Sequence, residues 1–346
     1  MRATSKVTSA SEILAETRRA VEPAHRVAIE GLSAELRLIA GYHAGWWDAQ
    51  GAACDAVGKA VRPALALACA RAVDGDDGVR ASIPVAVAVE LAHDFTLLHD
   101  DVMDGDRMRR HRPAAWTLFG RSQAILAGDA LLVLAMDMLS SREQSTILAD
   151  ALLEVCAGQS ADLALQKRTE VSLDECLAMA EGKTAALLGA ACQLGACAAG
   201  ADEQTARRYR ELGRHLGIAY QLIDDLLGIW GDPATTGKPV GMDLVVRKKS
   251  LPVTAALASG TLAGECLAQL YRGGERLAKA EVARAAELID AAGGRAWATA
   301  EADRQIRSAL TALEAARPPA VAAAELRALL ELITRRAHSD TIDRLE

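Results

Sequence analysis

The sequence SIPVAVAVELAHDFTLLHDDVMD, from Ser82 to Asp104, decides the fold class of this chain. Its Val-Ala-Val-Ala-Val start could belong to a strand, but both members of each pair are apolar, so the alternation of a half-buried strand is missing. Ser82 can cap a helix that has Pro84 in its first turn, and Gly105 is a natural stop. A helix that is apolar on nearly all sides is predicted to be buried among other helices.

The rest of the chain is also predicted to be helical, because it is rich in Ala, Leu, Glu and Arg, which are strong helix formers. Gly, Pro and Ser mark the expected ends of the segments. The predicted helices span 12–43, 58–72, 121–140, 143–166, 172–199, 203–231, 249–259, 261–272, 275–293, 295–315 and 319–337. The acidic run DGDDG at 74–78 lacks the ligand spacing of a calcium loop and is predicted to be a solvated turn.

The chain has 346 residues, of which 51% are hydrophobic and 25% are charged, as in a globular protein. Only nine prolines occur and no Ser/Gly-rich linker interrupts the sequence. We therefore expect one all-α domain over 12–338, between a frayed N-terminus at 1–11 and a polar tail at 339–346.

Composition also narrows the possible partners and the compartment. A net charge of -7 and an aromatic content of 3% argue against nucleic acid, which needs a basic surface or base-stacking rings. The seven cysteines are scattered without C-x-x-C spacing, which favours a reduced, cytoplasmic setting. No signal peptide and no uncharged apolar window of about 18 residues is found, so no membrane span is predicted.

The apolar helix ends in a concentrated group of charges, LLHDDVMDGDRMRRHRP at 97–113. Asp100 and Asp104 are four residues apart, which places them on one helix face with their Cβ atoms about 6 Å apart. Two carboxylates this close repel unless a cation lies between them or one is protonated. Ligands that are all oxygen, with no His or Cys at ligand spacing, favour magnesium over zinc.

A second acidic motif, QLIDDLLGIWGD at 221–232, also places two aspartates toward the end of an apolar helix. Acids near a helix C-terminus are unfavourable because they oppose the helix dipole. Their occurrence at the ends of two helices therefore indicates a functional role and not chance. Asp224 shares a stripe with Gln221 and Gly217. If the two helices face each other across a cavity, these carboxylates line its mouth.

Basic clusters accompany the aspartates. Magnesium is held weakly by carboxylates alone and is usually completed by substrate phosphates. The clusters are Arg109 with Arg110, Lys59 with Arg62, Lys183 with Thr184, and Lys238 with Lys248 and Lys249. They suggest two polyphosphate substrates, one on metal ions and one held directly by Arg and Lys. A nucleotide loop is excluded because G-x-x-x-x-G-K-[ST] does not occur at the GK sites.

Together these motifs resemble those of the trans-isoprenyl diphosphate synthases, the polyprenyl synthetases of the geranylgeranyl/farnesyl diphosphate type. The resemblance covers roughly 40–260 and rests on GKAVRP (58–63), LLHDDVMDGDRMRRHRP (97–113), GDALL (128–132), QSAD (159–162), GKT (182–184), YQLIDDLLGIWGD (220–232), TGK (236–238) and RKKSLP (247–252). It implies an isoprenoid synthase fold, a bundle of long antiparallel helices around a central cavity. It also implies a magnesium-dependent prenyltransferase that acts as a homodimer.

The resemblance also implies roles for individual residues. Three Mg²⁺ ions would bind, two on Asp100 and Asp104 and one on Asp224, with Asp101 and Asp225 assisting. The allylic diphosphate would be gripped by Arg109, Lys183, Lys238 and Lys248. Isopentenyl diphosphate would be bound by Lys59, Arg62, His93 and Arg110. Thr184 and Gln221 would lie beside the reacting carbons.

The sequence departs from the family's pattern in the second motif, where Gly228 stands in place of a common third Asp; Asp232 could partly compensate. Product length in this family is set beneath the first motif. Phe95 lies five residues before Asp100, Thr96 lies four before it, and DDVMD has no insertion. This arrangement resembles synthases that make geranylgeranyl diphosphate, which is the expected product.

Two other functions remain open. A class I terpene cyclase has the same fold and needs the aspartates but no isopentenyl diphosphate site, so Lys59, Arg62 and Arg110 argue against it. A non-catalytic partner or cargo subunit would be expected to lose aspartates, whereas both Asp-Asp pairs are intact here. Recruitment into a larger assembly through the polar N-terminal segment is also left open.

Overall fold

The computed structural model describes residues 9–231, 241–273 and 276–334. Helices make up nearly all of its regular structure. They are α1 (Ala10–Glu30), α2 (Ala34–Ala44), α3 (Val61–Asp104), α4 (Ala115–Phe119), α5 (Arg121–Asp137), α6 (Arg142–Lys167), α7 (Leu173–Ala180), α8 (Ala186–Ala198), α9 (Glu203–Trp230), α10 (Met242–Val245), α11 (Leu251–Leu257), α12 (Leu262–Tyr271), α13 (Lys279–Ala291), α14 (Gly294–Ala316) and α15 (Ala320–Thr334). The predicted all-α class is confirmed.

Helix α3 consists of two helical segments that meet at a kink. The predicted turn at 74–78 is confirmed only at Asp74 (φ -141°, ψ 33°) and Gly75 (φ 56°, ψ -138°), which leave the helical conformation, whereas 76–78 are helical. The acidic side chains there face solvent from the helix itself. Ser82 is not a cap: it is fully buried inside the helix, and its Oγ donates to the carbonyl of Gly195 at 3.1 Å. Gly105, with φ 71°, ends the helix as predicted.

Three other boundaries differ from the prediction. The segment 12–43 is two helices, broken at 31–33, and 172–199 is interrupted by a π-helical turn, Glu181–Ala185. A small antiparallel hairpin, β1 (Met108–Arg109) and β2 (Arg112–Pro113), follows α3. Its two turn residues, Arg110 and His111, have φ of 50° and 62°, a conformation that Asn and Gly usually supply, so sequence propensity gives no sign of this turn.

The chain folds into two compact units. The first comprises the described residues of Met1–Leu152, Ala190–Arg210 and Ala316–Ala328. Its core includes the fully buried Leu65, Leu91, Leu98 and Leu131 of α3 and α5. Arg71 of α3 lies 3.1 Å from Glu16 of α1 and 3.4 Å from Glu325 of α15, so one guanidinium joins three helices.

The second unit comprises the described residues of Leu153–Gly189, Glu211–Ala315 and Leu329–Glu346. One apolar cluster centres on Ile229, Leu244 and Leu267, and another on Leu165, Leu222 and Leu251. These clusters fix the end of α9 and the start of α11, which carry site residues described below. The prediction of one domain over 12–338 stays a prediction.

Within the described residues, α3 is the one single helix long and apolar enough to cross a membrane, and 61% of its most apolar window is buried inside the protein. A second candidate arises only if α11 and α12, which are bent by 118°, are counted as one span. Core helices of soluble proteins pass the same test, so neither candidate indicates a membrane protein.

Candidate active site

The first acidic motif occupies the last turn of α3. Asp104 is exposed and Asp100 is partly buried, whereas Asp101 is 1% exposed. Arg109 of the following hairpin donates from Nε to Oδ1 of Asp101 at 2.9 Å and from Nη2 to the same oxygen. Burial raises the pKa of Asp101, and the hydrogen bond from Arg109 opposes that rise. Asp101 therefore holds Arg109 beside the two aspartates that can face a cation.

A second basic group contains Arg62, in the first turn of α3, and His93, which lies farther along the same helix. Arg62 Nη1 lies 2.9 Å from His93 Nε2. Because a guanidinium can only donate, Nε2 of His93 is the acceptor and the ring proton is on Nδ1. Burial, reinforced by Arg62, lowers the pKa of His93 well below its usual range, so the ring is neutral. Lys59, which precedes this helix, is exposed.

Arg110 is positioned by Asp94 and His43, which no motif includes, and by Gly58 of GKAVRP. Its Nη2 lies 3.7 Å from Oδ1 of Asp94, and its Nη1 donates to the carbonyl of His43 at 3.4 Å. A Cβ on Gly58 would lie 2.9 Å from the Arg110 Cζ, so only glycine lets the guanidinium rest on this backbone. Oδ1 of Asp94 also lies 3.4 Å from Nε2 of His43, so Asp94 contacts both Arg110 and His43.

Two acids share one face of α3: Asp94, which is buried, and Glu90, which is partly buried. Burial would raise the pKa of Asp94, but the hydrogen bond from His43 and the charge of Arg110 outweigh it and lower the pKa. Burial and neighbouring Asp94 raise the pKa of Glu90 to about 7. With His25 they line a cavity of about 40 Å³. Sequence reasoning missed these acids, although charged residues inside an apolar helix were a visible signal.

In the second unit, a chain of hydrogen bonds joins the predicted reaction residues. Thr184 Oγ1 donates to Gln221 Oε1 at 2.8 Å, and Gln221 Nε2 donates to Asp225 Oδ1 at 2.9 Å. Asp225 Oδ2 accepts from the backbone of Leu251 at 3.0 Å. Burial raises the pKa of Asp225 to about 6 against the attraction of Lys248. Asp224, its neighbour on α9, is exposed.

Two lysines of this unit, Lys183 and Lys248, are each held by an acid to which the sequence had given no role. Lys183 Nζ donates to Oδ2 of Asp162 at 2.6 Å. Lys248 Nζ lies 3.6 Å from Oδ2 of Asp243. Burial would lower the pKa of Lys248, but Asp225 and Asp243 outweigh it and raise the pKa. Asp162 belongs to the motif QSAD, and Asp243 lies between the motifs TGK and RKKSLP. Lys238 lies outside the described residues.

Lys249, the third lysine of its cluster, donates to the carbonyl of Leu165 at 3.2 Å. Burial lowers the pKa of this lysine. This hydrogen bond of Lys249 goes to a backbone carbonyl, whereas Lys183 and Lys248 face acids.

Two glycines bring α6 and α9 against the π-helical turn that carries Lys183 and Thr184. A Cβ on Gly158 would lie 2.3 Å from the backbone nitrogen of Lys183, and one on Gly217 would lie 2.4 Å from Cα of Ala185. Both helices therefore contact the turn through bare backbone. Single π-turns inside α-helices are frequent at functional sites.

The two residues predicted to set product length lie one turn before the aspartates. Phe95 is 9% exposed and meets the His99 ring edge-on, with centroids 4.8 Å apart. A Cβ on Gly128 of α5 would lie 2.4 Å from the His99 ring, so this glycine makes room for the pair. Thr96 Oγ1 donates to the carbonyl of His93 at 2.7 Å and so bonds within its own helix.

The aspartates fit magnesium by the chemistry of their donors. Over 9–231, 241–273 and 276–334, no three His, Cys, Asp or Glu side chains are gathered as a metal site. Asp100, Asp104 and Asp224 are exposed or partly buried, and their carboxylates are hard oxygen donors. Mg²⁺ typically takes one or two such carboxylates together with water and phosphate oxygens, unlike a closed structural zinc site.

A family model described as polyprenyl synthetase matches residues 49–289. The chain belongs to the polyprenyl synthetase family. It is 46% identical over 320 residues to a geranylgeranyl diphosphate synthase of Mycobacterium tuberculosis, covering 90% of this chain and 89% of that protein. A farnesyl diphosphate synthase of the same species is 44% identical over 326 residues, covering 91% and 90%.

Among solved structures, a polyprenyl synthetase from Streptomyces coelicolor A3(2) superposes with a TM-score of 0.88 at 42% identity, covering 95% of this chain and 99% of that one. The resemblance read from the motifs and the isoprenoid synthase fold are thereby confirmed. Members of the family are generally magnesium-dependent, in keeping with the oxygen ligands described above.

Proposed function

We propose that this chain, a trans-prenyltransferase by family, condenses isopentenyl diphosphate with an allylic diphosphate to give a longer all-trans prenyl diphosphate. The observation that carries the proposal is the division of the basic side chains of the first unit into two groups. Arg109 is bound to the first acidic motif, whereas Arg62 and Arg110 are held by His93 and Asp94. Two separate basic groups suit two diphosphate substrates.

In this proposal, the allylic diphosphate is bound through Asp100, Asp104 and Asp224, with three Mg²⁺ ions. Arg109, Lys183 and Lys248 add direct charge-assisted hydrogen bonds, and Lys238 is assigned the same role from its motif. Each of the first three has a carboxylate partner, respectively Asp101, Asp162 and Asp243, that fixes where its charge lies. Positioned charges stabilise a developing anion without the cost of reorganising solvent.

Isopentenyl diphosphate is assigned to Lys59, Arg62, His93 and Arg110. Neutral His93 orients the Arg62 guanidinium by accepting one of its hydrogens. Arg110 is oriented by Asp94 and the His43 carbonyl. This set recognises a diphosphate without metal ions.

The reaction follows from these placements. Breaking the allylic C–O bond leaves diphosphate and a carbocation, and Mg²⁺, when bound, neutralises the developing negative charge. The double bond of isopentenyl diphosphate then attacks the cation, and the proton lost from the new product passes to the departing diphosphate. Thr184 and Gln221 are assigned a place beside the reacting carbons; Thr184 donates to Gln221, which in turn donates to Asp225. Apolar helix surfaces exclude the water that would quench the cation.

For the product we propose geranylgeranyl diphosphate. The relatives include both farnesyl and geranylgeranyl diphosphate synthases, so they leave the length open. The proposal rests on Phe95 as the floor of the chain-binding space. The ring of this residue is held by His99 and by the close backbone of Gly128.

The product-length prediction is tested by Phe95→Ala. We expect it to shift the products toward longer prenyl chains, because removing the ring opens space below the first acidic motif. The matched control is Phe119→Ala, the other phenylalanine of the chain, which packs edge-on against Tyr42 at 5.5 Å. Products are identified by mass spectrometry. An unchanged product distribution in Phe95→Ala would show that Phe95 is not the floor.

The reaction itself is tested by incubating the protein with Mg²⁺, isopentenyl diphosphate and, in turn, dimethylallyl, geranyl and farnesyl diphosphates. Elongated prenyl diphosphates are the expected products. A cyclic hydrocarbon with free diphosphate from one substrate would establish a terpene cyclase instead. No turnover with any starter would favour a non-catalytic partner or cargo subunit.

We further propose that the protein is cytoplasmic and homodimeric. The seven cysteines are all free thiols, which suits a reducing compartment. Helices α4 and α5 present large apolar side chains to solvent: Leu118 of α4 is 46% exposed, and Leu126 and Val133 of α5 are 52% and 67% exposed. An apolar surface of this kind favours association with a second copy.

A further inference from the structure

Gly228 occupies the position at which the second acidic motif departs from the family's pattern, and the space beside it is filled by another carboxylate. A Cβ built on Gly228 would lie 2.8 Å from Oδ2 of Asp243 and 3.3 Å from its Cγ. The Asp243 carboxyl group therefore stands where a side chain at 228 would begin.

This placement puts Asp243 on the same side of α9 as Asp224. Asp224 and Gly228 are four residues apart, so side chains at the two positions share one helix face with Cβ atoms about 6 Å apart. The Asp243 carboxyl group thus lies against α9 one helical turn after Asp224, although it comes from another segment of the chain.

The backbone around Asp243 fixes it against α9. The N–H of Gly241 donates to the carbonyl of Gly228 at 3.2 Å, and the N–H of Lys248 donates to the carbonyl of Asp243 at 2.9 Å. The side chain keeps 28% of its surface exposed, so it can still reach a ligand. A side chain at 228 would collide with the Asp243 carboxylate, which explains why glycine suits this position.

We propose that Asp243 supplies the carboxylate that Gly228 lacks and acts with Asp224 on the magnesium-bound diphosphate. This inference rests on the proposed function, because it assigns one more residue to the same site. The competing explanation is that Asp243 only positions Lys248, whose Nζ lies 3.6 Å away.

The test moves the carboxylate from position 243 in α10 to position 228 in α9. Binding of Mn²⁺ in the presence of inorganic diphosphate is followed by the electron paramagnetic resonance signal of free Mn²⁺. We expect Asp243→Gly to weaken Mn²⁺ binding about tenfold or more, as removal of supporting ligands does at other metal sites. Gly228→Asp alone should also weaken it, because two carboxylates then compete for one space.

The double variant Gly228→Asp/Asp243→Gly should regain most of the lost affinity. Gly228→Ala is a further variant, since its Cβ displaces Asp243 without adding charge, and Asp290→Asn, an exposed acid of α13, is the control. Equal binding by Asp243→Gly and the unmodified protein would overturn the proposal, and so would a double variant no better than Asp243→Gly. Asp243→Asn replaces Asp243→Gly if circular dichroism shows that the latter is unfolded.

The competing explanation is tested in a Lys248→Met background. If Asp243 acted only through Lys248, Asp243→Asn would have no further effect there; we expect it still to weaken Mn²⁺ binding. Failure of the proposed function looks different, because the unmodified protein would then show no diphosphate-dependent Mn²⁺ binding and no chain elongation.

Discussion

Arg110 shows how much of a binding residue's placement depends on its surroundings. Its φ of 50° and the φ of 62° at His111 each cost about 1 kcal/mol relative to ordinary conformations. The contacts with Asp94, the His43 carbonyl and the Gly58 backbone stabilise this conformation. The direction of the guanidinium is thus determined by three residues far from it in sequence.

Glu90 gives a prediction about pH. Its pKa is raised from 4.5 to about 7 in the folded protein, so the fold favours the protonated carboxyl. Its favourable contribution is complete below the unfolded pKa of 4.5 and is lost as the pH rises through about 7. Glu90→Gln mimics the protonated form, so the melting temperature of the unmodified protein should fall relative to this variant as the pH rises through this range.

Differential scanning calorimetry at a series of pH values between about 5 and 8 measures this effect. The control is Glu30→Gln, at an exposed position on α1. Parallel curves for the unmodified protein and Glu90→Gln would contradict the prediction, because they would mean that Glu90 titrates alike in the folded and unfolded chains.

At the scale of elements, close helix contacts are made possible by glycine. Gly217 lets α9 touch the π-helical turn at Ala185, and Gly158 does the same for α6 at Lys183. A backbone atom cannot move aside by changing a side-chain rotamer. A methyl group added at Gly158 or Gly217 would therefore force the helix and the π-helical turn apart. The position of Thr184 and Lys183 therefore depends on two residues without side chains.

We expect Gly217→Ala to lower the free energy of unfolding by about 1–3 kcal/mol, the usual cost of overpacking a close contact. Urea denaturation followed by circular dichroism measures it. Gly31→Ala is the comparison, because a Cβ there makes only an ordinary contact at 3.6 Å. Similar unfolding midpoints for the two variants would show that α9 can shift without cost.

The sequence predicted the ends of a helix well where a local residue such as Gly or Ser terminates it. It predicted them poorly where packing against other helices determines the boundary. The predicted 203–231 is one residue longer than α9 at its C-terminal end, and 143–166 is one residue shorter than α6 at each end. Gly231 marks the end of α9 and Ser141 precedes the start of α6. The π-turn and the continuity of α3 through 76–78 depend on neighbouring helices, which local propensity cannot reveal.

The same distinction applies to the site. The motifs identified residues near one another in sequence, such as Asp100 and Arg109. Asp162, Asp94 and Asp243 were not assigned roles, because their contacts with Lys183, Arg110 and Gly228 join positions distant in the chain. Such partners follow from the fold and not from the spacing of a motif.

At the scale of the whole molecule, the exposed apolar side chains of α5 predict the oligomeric state. Leu126 and Val133 are two helical turns apart and share one face. Leu126→Glu/Val133→Glu should convert the proposed homodimer into a monomer, because burying two carboxylates in an interface costs several kcal/mol. Size-exclusion chromatography with light scattering measures the mass.

The control for this prediction is Val27→Glu, at a 68% exposed position on α1. We expect it to leave the mass unchanged. A dimeric Leu126→Glu/Val133→Glu variant would place the interface on another surface, and a monomeric unmodified protein would refute the proposed homodimer.

The ion pairs of Arg71 have a consequence for how the protein is made. They join Glu16 of α1 to Glu325 of α15. The first unit is likewise assembled from three segments that are separated in the sequence. Ribosomes synthesise about 5–20 residues per second, so α1 emerges well before α15. The unit that carries the first acidic motif is therefore completed only after α15 has been synthesised, and a nascent chain stopped before α15 lacks that closing contact.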